Sequence, residues 1–434
     1  MRIFKYTVVM IGLLELLAYG YNTNPYFDFD KFPARIELNG YFKTDAAFDT
    51  RQIVNDREGD FLFYPERRLP DIFDRDINHR GQFNMWSVEN KLWLTIHGPD
   101  IRNAKTSIFL ETDFFGRQFF NETMLLARMR HGYFKIDGEY ISFLAGQTWD
   151  PIITPGYNID TIPYTNGVPF VPYARDPQFR LIFHRPQVEL MMAMMGGNEV
   201  RTFGPNLTSP TGPEERSSLF LRNSMTPKFY VQIKVPNDEC NYVGAGVNTR
   251  RLVPRIKTDR DIKVVEKEFN VSWTVFGEWL YGKFGGLAKL SWLQDAAPYM
   301  VQGGYAVTSI DPITDKRTYT PLNTIAVCAD FYYDAPIQPG LFVGYSKNLG
   351  ANKTIIPCTI IDGQPVLLVY GFFVNIDYAF RIAPRFKWHI NQIEAGVELE
   401  ITQASYGDIS NTGKVINGVP VTNYRFLMSC SYFF

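Results

Sequence analysis

Apolar and polar side chains alternate with a period of two along much of the chain, and this alternation is typical of a β-strand with two different faces. The longest example covers residues 35–52. One face carries Ile36, Leu38, Phe42, Ala46 and Phe48, and the other carries Glu37, Asn39, Lys43, Asp45, Asp49 and Arg51. A strand of about 18 residues is long for a soluble sheet but suits a tilted strand that extends beyond a membrane.

The same alternation predicts about sixteen strands in all. They lie near residues 35–52, 80–97, 104–115, 124–137, 139–149, 176–185, 187–196, 226–235, 240–252, 267–281, 284–294, 320–333, 339–348, 370–383, 391–405 and 419–434. No helical period of 3.6 residues competes with the alternation over a comparable length. The chain is therefore predicted to be all-β.

The predicted connections tend to alternate between short and long. Tight turns fall at residues 137–138, 185–186, 236–239 and 282–283, and long connections cover residues 53–79, 150–175, 197–225 and 295–319. Outer-membrane barrels have short periplasmic turns, longer external loops and an even number of strands, whereas a β-sandwich gives no reason for this order. We therefore expect a transmembrane antiparallel β-barrel of about 16 strands, with short periplasmic turns and long external loops.

The N-terminal segment has the pattern of an export signal. Arg2 and Lys5 precede an apolar run, which is the arrangement of a secretory signal peptide in residues 1–20. Residues 21–34 are then a short lead-in, and residues 35–434 form the barrel. The expected location is a Gram-negative-type cell outer membrane.

The C-terminal segment agrees with this assignment. Tyr424, Phe426, Met428, Tyr432 and Phe434 share one face of the last predicted strand. A closing strand of a membrane barrel is expected to turn such an aromatic face toward lipid.

Composition and charge narrow the function classes. Lys and Arg total 44 and Asp and Glu total 45, so the formal net charge is -1. This balance argues against a nucleic-acid-binding protein, whose affinity depends on an excess of basic charge. Aromatic residues make up 15% of the chain, and a membrane barrel uses them in girdles at both lipid–water interfaces.

A barrel of sixteen strands leaves a water-filled lumen, whose lining should be polar. The polar faces of the strands predict that Lys43, Asp45, Asp49, Glu111, Asp113, Arg128, Arg130, Asp377, Arg381, Glu398 and Arg425 line it. Adjacent antiparallel strands should place Arg128 and Arg130 beside Glu111 and Asp113. Such an arrangement is either a transverse field that orients ionic solutes or a set of neutralising ion pairs that stiffens the wall, and one set of residues can do both.

The connection at residues 150–175 is rich in proline and glycine and is the third long connection along the chain. In barrels of this kind the third external loop often folds inward and narrows the pore. Tyr157, Asp160 and Tyr164 are the side chains we expect near such a constriction. The alternative interpretation is an ordinary surface loop.

Five segments carry short motifs in a fixed order. They are GYFKTDAAFDTRQ at residues 40–52, ETDFFG at 111–116, LARMRH at 126–131, AGQTW at 145–149 and DPQFR at 176–180. Together they resemble the DcaP-like trimeric porins of Gram-negative outer membranes, over roughly residues 36–185.

The resemblance implies a sixteen-stranded homotrimer that passes small, often anionic, hydrophilic compounds. It also implies that Arg128, Arg130 and Arg180 are pore arginines. The many carboxylates predicted in the lumen distinguish this chain and put an anion preference in doubt.

No arrangement of residues indicates an enzyme. The five histidines lie in separate segments, no Gly-x-Ser-x-Gly motif occurs, and no histidine spacing is typical of a metal site. We therefore predict no catalytic residues, cofactor or metal. The predicted function is passive diffusion of small polar solutes by a barrel whose other partner is membrane lipid. A transporter of hydrophobic compounds and a structural or adhesive barrel are the alternatives.

Overall fold

The computed structural model describes residues 35–116, 126–163, 167–197, 200–206, 214–238, 240–361 and 364–434. The predicted signal segment and lead-in, and Tyr164 of the predicted constriction, lie outside these described residues.

Sixteen antiparallel strands form a closed barrel. They are β1 (Arg35–Asp49), β2 (Gln82–Trp86 continued by Lys91–His97), β3 (Lys105–Gly116), β4 (Leu126–Asp137), β5 (Ile141–Trp149), β6 (Arg175–Arg185), β7 (Val188–Met195), β8 (Lys228–Pro236), β9 (Tyr242–Leu252), β10 (Glu268–Tyr281), β11 (Phe284–Gln294), β12 (Arg317–Tyr333), β13 (Ile337–Ala351), β14 (Ile376–Ile390), β15 (Ile393–Ile409) and β16 (Val415–Phe433). Each strand pairs with its neighbour in the chain, and β16 pairs with β1 from Tyr41 to Asp49. The predicted fold class and strand number are confirmed.

The two ends of the barrel differ in the length of their connections. At one end the strands are joined by short segments, namely residues 98–104, 138–140, 186–187, 237–241, 282–283, 334–336 and 391–392. At the other end most connections are long, and they include residues 50–81, 150–174, 196–227, 253–267, 295–316 and 352–375. This is the predicted asymmetry of short periplasmic turns and long external loops.

The two faces of the strands differ as the sequence predicts. On β1 the side chains of Leu38, Phe42 and Phe48 are exposed on the outside of the barrel, whereas Lys43 and Asp45 are buried inside. The same alternation continues along β16. A belt of apolar side chains around the outside would be unfavourable in water and is the lipid-facing surface of a transmembrane barrel. Among the described residues, no helix is both long and apolar enough to cross a membrane.

Two loops pack inside the barrel. One contains a hairpin of the strands Ile53–Asp56 and Phe61–Pro65. The other, called the loop 150–174, is described over residues 150–163 and 167–174. Their aromatic side chains form a buried cluster in which Phe61 meets Tyr173 edge to face at a ring distance of 6.3 Å. The main hydrophobic core therefore lies within the lumen, between these two loops and the wall.

The strand predicted at residues 80–97 is interrupted at residues 87–90. Two side chains of this segment replace the missing ladder contacts with β1. Asn90 accepts a hydrogen bond from the Lys43 backbone N–H at 2.8 Å, and Ser87 donates to the Lys43 carbonyl oxygen at 2.9 Å. The interruption is therefore satisfied locally.

The strand predicted at residues 370–383 was placed incorrectly. The segment Val369–Phe372 pairs with the strand Gly303–Ile310 of another long connection, while the wall strand β14 begins at Ile376. Phe373 separates the two segments because its φ of 48° cannot continue a strand.

Candidate functional site

A cavity of about 570 Å³ lies between the loop 150–174 and the end of the barrel that carries the short turns. Its wall comes from strands between β4 and β12. The charged groups that line it are Lys135, Arg180, Glu189, Lys234 and Glu278, with His184, and the aromatic ones are Trp149, Tyr157, Tyr242, Trp279 and Tyr332. Three basic and two acidic side chains thus surround a space large enough for small polar molecules.

Arg180 is the one predicted pore arginine that lines this cavity. Its guanidinium donates to the side-chain oxygen of Gln178 at 2.7 and 3.0 Å and to the carbonyl oxygen of Trp149 at 2.8 Å. Both partners are uncharged. No carboxylate among the described residues lies within 4.0 Å of it, so its positive charge faces the cavity without direct compensation.

Glu278 is the acidic counterpart of Arg180. Its carboxylate accepts hydrogen bonds from the Asn158 amide at 2.9 and 3.0 Å and from the Tyr242 hydroxyl. Both of these donors are uncharged. Arg180 on β6 and Glu278 on β10 are separated by three strands, or about 19 Å along the wall at the usual strand spacing.

Tyr157, which was predicted near the constriction, lies between these two charges. Partial burial and the Glu278 carboxylate raise the pKa of the Tyr157 hydroxyl, and Arg180 opposes this shift. The phenol is therefore uncharged at neutral pH and presents a polar group in the middle of the cavity.

The remaining charges of the cavity are paired. Glu189 lies 3.1 Å from Lys234 and 3.3 Å from His184, and Lys135 lies 2.8 Å from Asp137. These pairs reduce the number of charges available to a solute, which leaves Arg180 and Glu278 as the main sources of a transverse field.

The predicted contact between β3 and β4 is confirmed. Asp113 accepts two hydrogen bonds from Arg128 at 2.6 and 2.9 Å and lies 3.4 Å from Arg130, which also pairs with Glu111. Asp113 and Arg130 are buried. Here the structure favours the second interpretation of the charged wall, in which ion pairs stiffen it.

Most other predicted lumen residues are also neutralised inside the barrel. Arg425 donates to Asp49 at 2.9 and 3.0 Å, Arg381 lies 3.1 Å from Glu400, and Lys347 lies 3.0 Å from Asp377. Glu398 instead accepts a hydrogen bond from the backbone N–H of Ile162 in the inward-folded loop. Lys43 and Asp45 lie together in a buried cluster beneath the two loops.

The loop 150–174 is fixed to the wall by charged side chains. Asp160 accepts a hydrogen bond from Lys387 at 2.5 Å and donates its backbone N–H to Asp330 at 3.0 Å. On another strand Lys289 donates to the carbonyl oxygens of Ile152 and Thr154. The sequence did not indicate Lys289, Asp330 or Lys387, the wall residues that hold this loop.

Two of the other cavity residues that sequence reasoning missed carry a usable signal. Lys135 shares the predicted face of Met129 and turns inward because a bulge at Arg130 shifts the register of β4, whereas Lys234 and Glu278 fall on the polar faces of predicted strands. Strand alternation could have placed these two inside the barrel, but it could not show which inward charges remain near open space after the loops fold in.

Solved structures with this architecture were found by comparison. The outer membrane channel DcaP of Acinetobacter baumannii superposes with a TM-score of 0.65 and 16% sequence identity, covering 92% of this chain and 97% of that one. The fold is that of an outer-membrane channel. The anion-selective porin from Comamonas acidovorans gives a TM-score of 0.53 at 9% identity, covering 92% and 100%. OmpT of Vibrio cholerae gives 0.51 at 9% identity, covering 92% and 98%.

No protein-family model matches the chain, and no curated protein sequence matches it. The resemblance to DcaP that the sequence motifs predicted is supported at the level of the fold. The predicted outer-membrane location agrees with this fold and with the apolar outer surface of the barrel.

Proposed function

We propose that this protein is an outer-membrane porin that lets small hydrophilic solutes, with a preference for anions, diffuse across the membrane. The observation that carries the proposal is the polar cavity within the barrel, into which Arg180 presents a guanidinium bonded only to uncharged partners. A guanidinium is a good transient partner for carboxylates and phosphates because it offers planar, paired donors.

The charges around the cavity support the direction of this preference. Lys135 pairs with Asp137 and Lys234 pairs with Glu189, so Arg180 is the lining cation that has no carboxylate within 4.0 Å among the described residues. Glu278 reduces the effect but is held by three hydrogen bonds from uncharged donors, so it serves as the negative side of a field across the passage. This field would orient dipolar solutes as they pass Tyr157.

The alternative of a transporter for hydrophobic compounds is disfavoured by the same lining. Such a route would be expected to be apolar, whereas this cavity is lined by five charged side chains. A homotrimer remains the expected assembly from the sequence resemblance, and chemical crosslinking of the purified protein in detergent would test it.

Planar-bilayer recording tests the function directly. We expect stepwise ohmic conductance from the purified full-length protein, and a reversal potential in asymmetric potassium chloride that indicates greater permeability for chloride. Conductance with a cation preference would contradict the selectivity, and folded protein that conducts no ions would contradict the channel itself.

A further inference from the structure

Three acidic side chains meet where the inward-folded hairpin of residues 53–65 contacts the barrel wall. Asp45 comes from β1, Asp60 from the hairpin, and Glu89 from the interruption of β2. One carboxylate oxygen of each lies within 4.8 Å of the other two, and all three side chains are buried. Burying three carboxylates together is costly unless they are compensated.

The cations already present compensate mainly Glu89. Lys43 donates to one Glu89 oxygen and lies 3.4 Å from Asp45, while Lys91 is 4.0 Å from the other Glu89 oxygen. Tyr41 also donates to Glu89, at 2.9 Å. Asp60 has no basic group within 4.0 Å among the described residues, and its only donor is the uncharged indole N–H of Trp86 at 2.9 Å.

Free acceptor atoms point to a missing ligand. Neither oxygen of Asp45 accepts a hydrogen bond from the described residues, and nor does Oδ2 of Asp60, although Asp45 is 1% exposed and Asp60 is fully buried. The Lys43 ammonium lies 3.4 Å from Oδ2 of Asp45, but neither Asp45 oxygen accepts a hydrogen bond of normal geometry, whichever of them faces the cluster. Buried polar atoms are nearly always satisfied in folded proteins, by protein, water or an ion.

We propose that Asp45, Asp60 and Glu89 bind a divalent cation of the Ca²⁺ type, which ties the hairpin to the wall. Carboxylate oxygens are the ligands that Ca²⁺ prefers, and its bonds of about 2.3–2.6 Å allow two ligands up to about 5 Å apart. Three oxygens within 4.8 Å of one another satisfy this limit. Zinc would prefer nitrogen or sulfur ligands, and none belongs to the cluster.

The site would have a structural consequence for the pore. Lys43 also donates to the carbonyl oxygen of Ile162 at 2.6 Å, so the cluster contacts the second inward-folded loop. A cation bound here would hold the 53–65 hairpin against β1 and β2 and, through Lys43, stabilise residues next to the proposed constriction. This proposal does not depend on the direction of ion selectivity.

Terbium luminescence tests the site with the purified full-length protein, because Tb³⁺ occupies Ca²⁺ sites and is excited by a nearby indole. Trp86 bonds to Asp60 and is therefore adjacent to the bound ion. We expect saturable sensitised emission that excess Ca²⁺ abolishes. Asp60→Asn should weaken Tb³⁺ binding at least about tenfold, as loss of a supporting interaction does at other metal sites. Asp408→Asn, the same change at an exposed carboxylate, should leave binding unaltered.

A second measurement keeps the test valid if Asp60→Asn does not fold. Ca²⁺ should raise the thermal midpoint of the wild-type protein, and a chelator should reverse the increase. Trp86→Phe should lose the sensitised emission but keep the Ca²⁺-dependent stabilisation.

Three results would overturn the proposal. One is the absence of saturable emission from folded wild-type protein, and another is emission that persists unchanged in both Trp86→Phe and Asp60→Asn. The third is a thermal midpoint that ignores Ca²⁺ and the chelator but rises as the pH falls. Burial and the neighbouring carboxylates of Glu89 and Asp45 raise the pKa of Asp60. The third result would therefore mean that a bound proton, and not a cation, neutralises the cluster.

Discussion

Asp330 accepts both arms of the Arg385 guanidinium, at 2.6 and 3.0 Å, and both side chains are almost completely buried inside the barrel. Asp330 also accepts the backbone N–H of Asp160, at 3.0 Å. The pair therefore joins two wall strands and holds the inward-folded loop 150–174 at the same point.

Removing one partner of this pair should have a large effect. We expect Asp330→Asn to destabilise the barrel by about 3–5 kcal/mol, because Asp160, 3.6 Å away, is then the one carboxylate among the described residues within 4.0 Å of the buried guanidinium. The freed loop should also increase current fluctuations. Denaturation midpoints in lipid vesicles and single-channel noise measure the two effects.

Asp377→Asn is the matched control for that substitution. Its carboxylate pairs with Lys347 at 3.0 Å, but both side chains are partly exposed, so the loss should be about 1 kcal/mol or less. Equal destabilisation by the two variants would show that the Asp330–Arg385 pair has no special role in the wall.

Gly344 of β13 provides a second test of the loop position. A Cβ atom at this position would lie 2.5 Å from Cγ of Phe170, a residue of the loop. We expect Gly344→Val to push the loop away from the wall, to cost on the order of 1–3 kcal/mol through overpacking, and to change the single-channel conductance.

A double variant separates loop displacement from general damage. Phe170→Ala removes the ring that the new side chain would strike, so the double variant should lose less stability than the sum of the losses in Gly344→Val and Phe170→Ala. If the two changes are simply additive, Gly344 and Phe170 are not in contact in the folded protein.

The wall of the barrel could be predicted from the sequence because the alternation of neighbouring residues along a strand determines which side chains face lipid and which face the lumen. On β1 a slip of one residue would turn Lys43 and Asp45 into lipid and Phe42 into the lumen, so a period of two fixes the face of each side chain on a strand without bulges. The same reasoning placed Arg128 and Arg130 beside Glu111 and Asp113, since adjacent strands must pair. These predictions needed no knowledge of distant segments.

The packing of the two loops inside the lumen could not be predicted in the same way. Phe61, Leu62 and Phe63 look like an ordinary apolar strand, and no local pattern shows that their hairpin packs inside the lumen. Their position depends on contacts such as that between Arg381 and the Leu62 carbonyl oxygen, 319 residues apart in the chain. For the same reason the sequence nominated twelve charged lumen residues but could not tell that Arg180 alone among them lines the described cavity.

Arg180 should determine much of the ion preference. We expect Arg180→Gln to reduce the ratio of chloride to potassium permeability about sevenfold, because one unit charge about 7 Å from a permeating ion in water changes the energies of the two ions by about 0.6 kcal/mol in opposite directions. Stability should change little, because the lost partners are uncharged and a glutamine amide can still donate to them. Reversal potentials in asymmetric salt measure the ratio.

Arg180→Lys is the control, since it keeps the charge and loses only the planar donor geometry. It should retain most of the chloride preference for a spherical ion. If Arg180→Gln conducts with wild-type selectivity, the proposed role of this guanidinium is wrong, whatever the conductance of the channel.

The cost of a charged side chain on the lipid-facing surface depends on its depth in the membrane. Met428 of β16 is exposed on the outer surface beside Ala46 of β1 and Val397 of β15, midway between aromatic residues toward either end of the strand. Met428→Arg should therefore cost on the order of 2–4 kcal/mol and lower the folded fraction in lipid, whereas Tyr432→Arg, nearer the interface, should cost about 1 kcal/mol or less. Met428→Leu should fold normally. Heat-modifiable mobility in gels and urea titration in vesicles report the folded fraction. If the two arginine variants fold equally well in a bilayer, the surface that carries Met428 faces water or another protein surface instead of acyl chains.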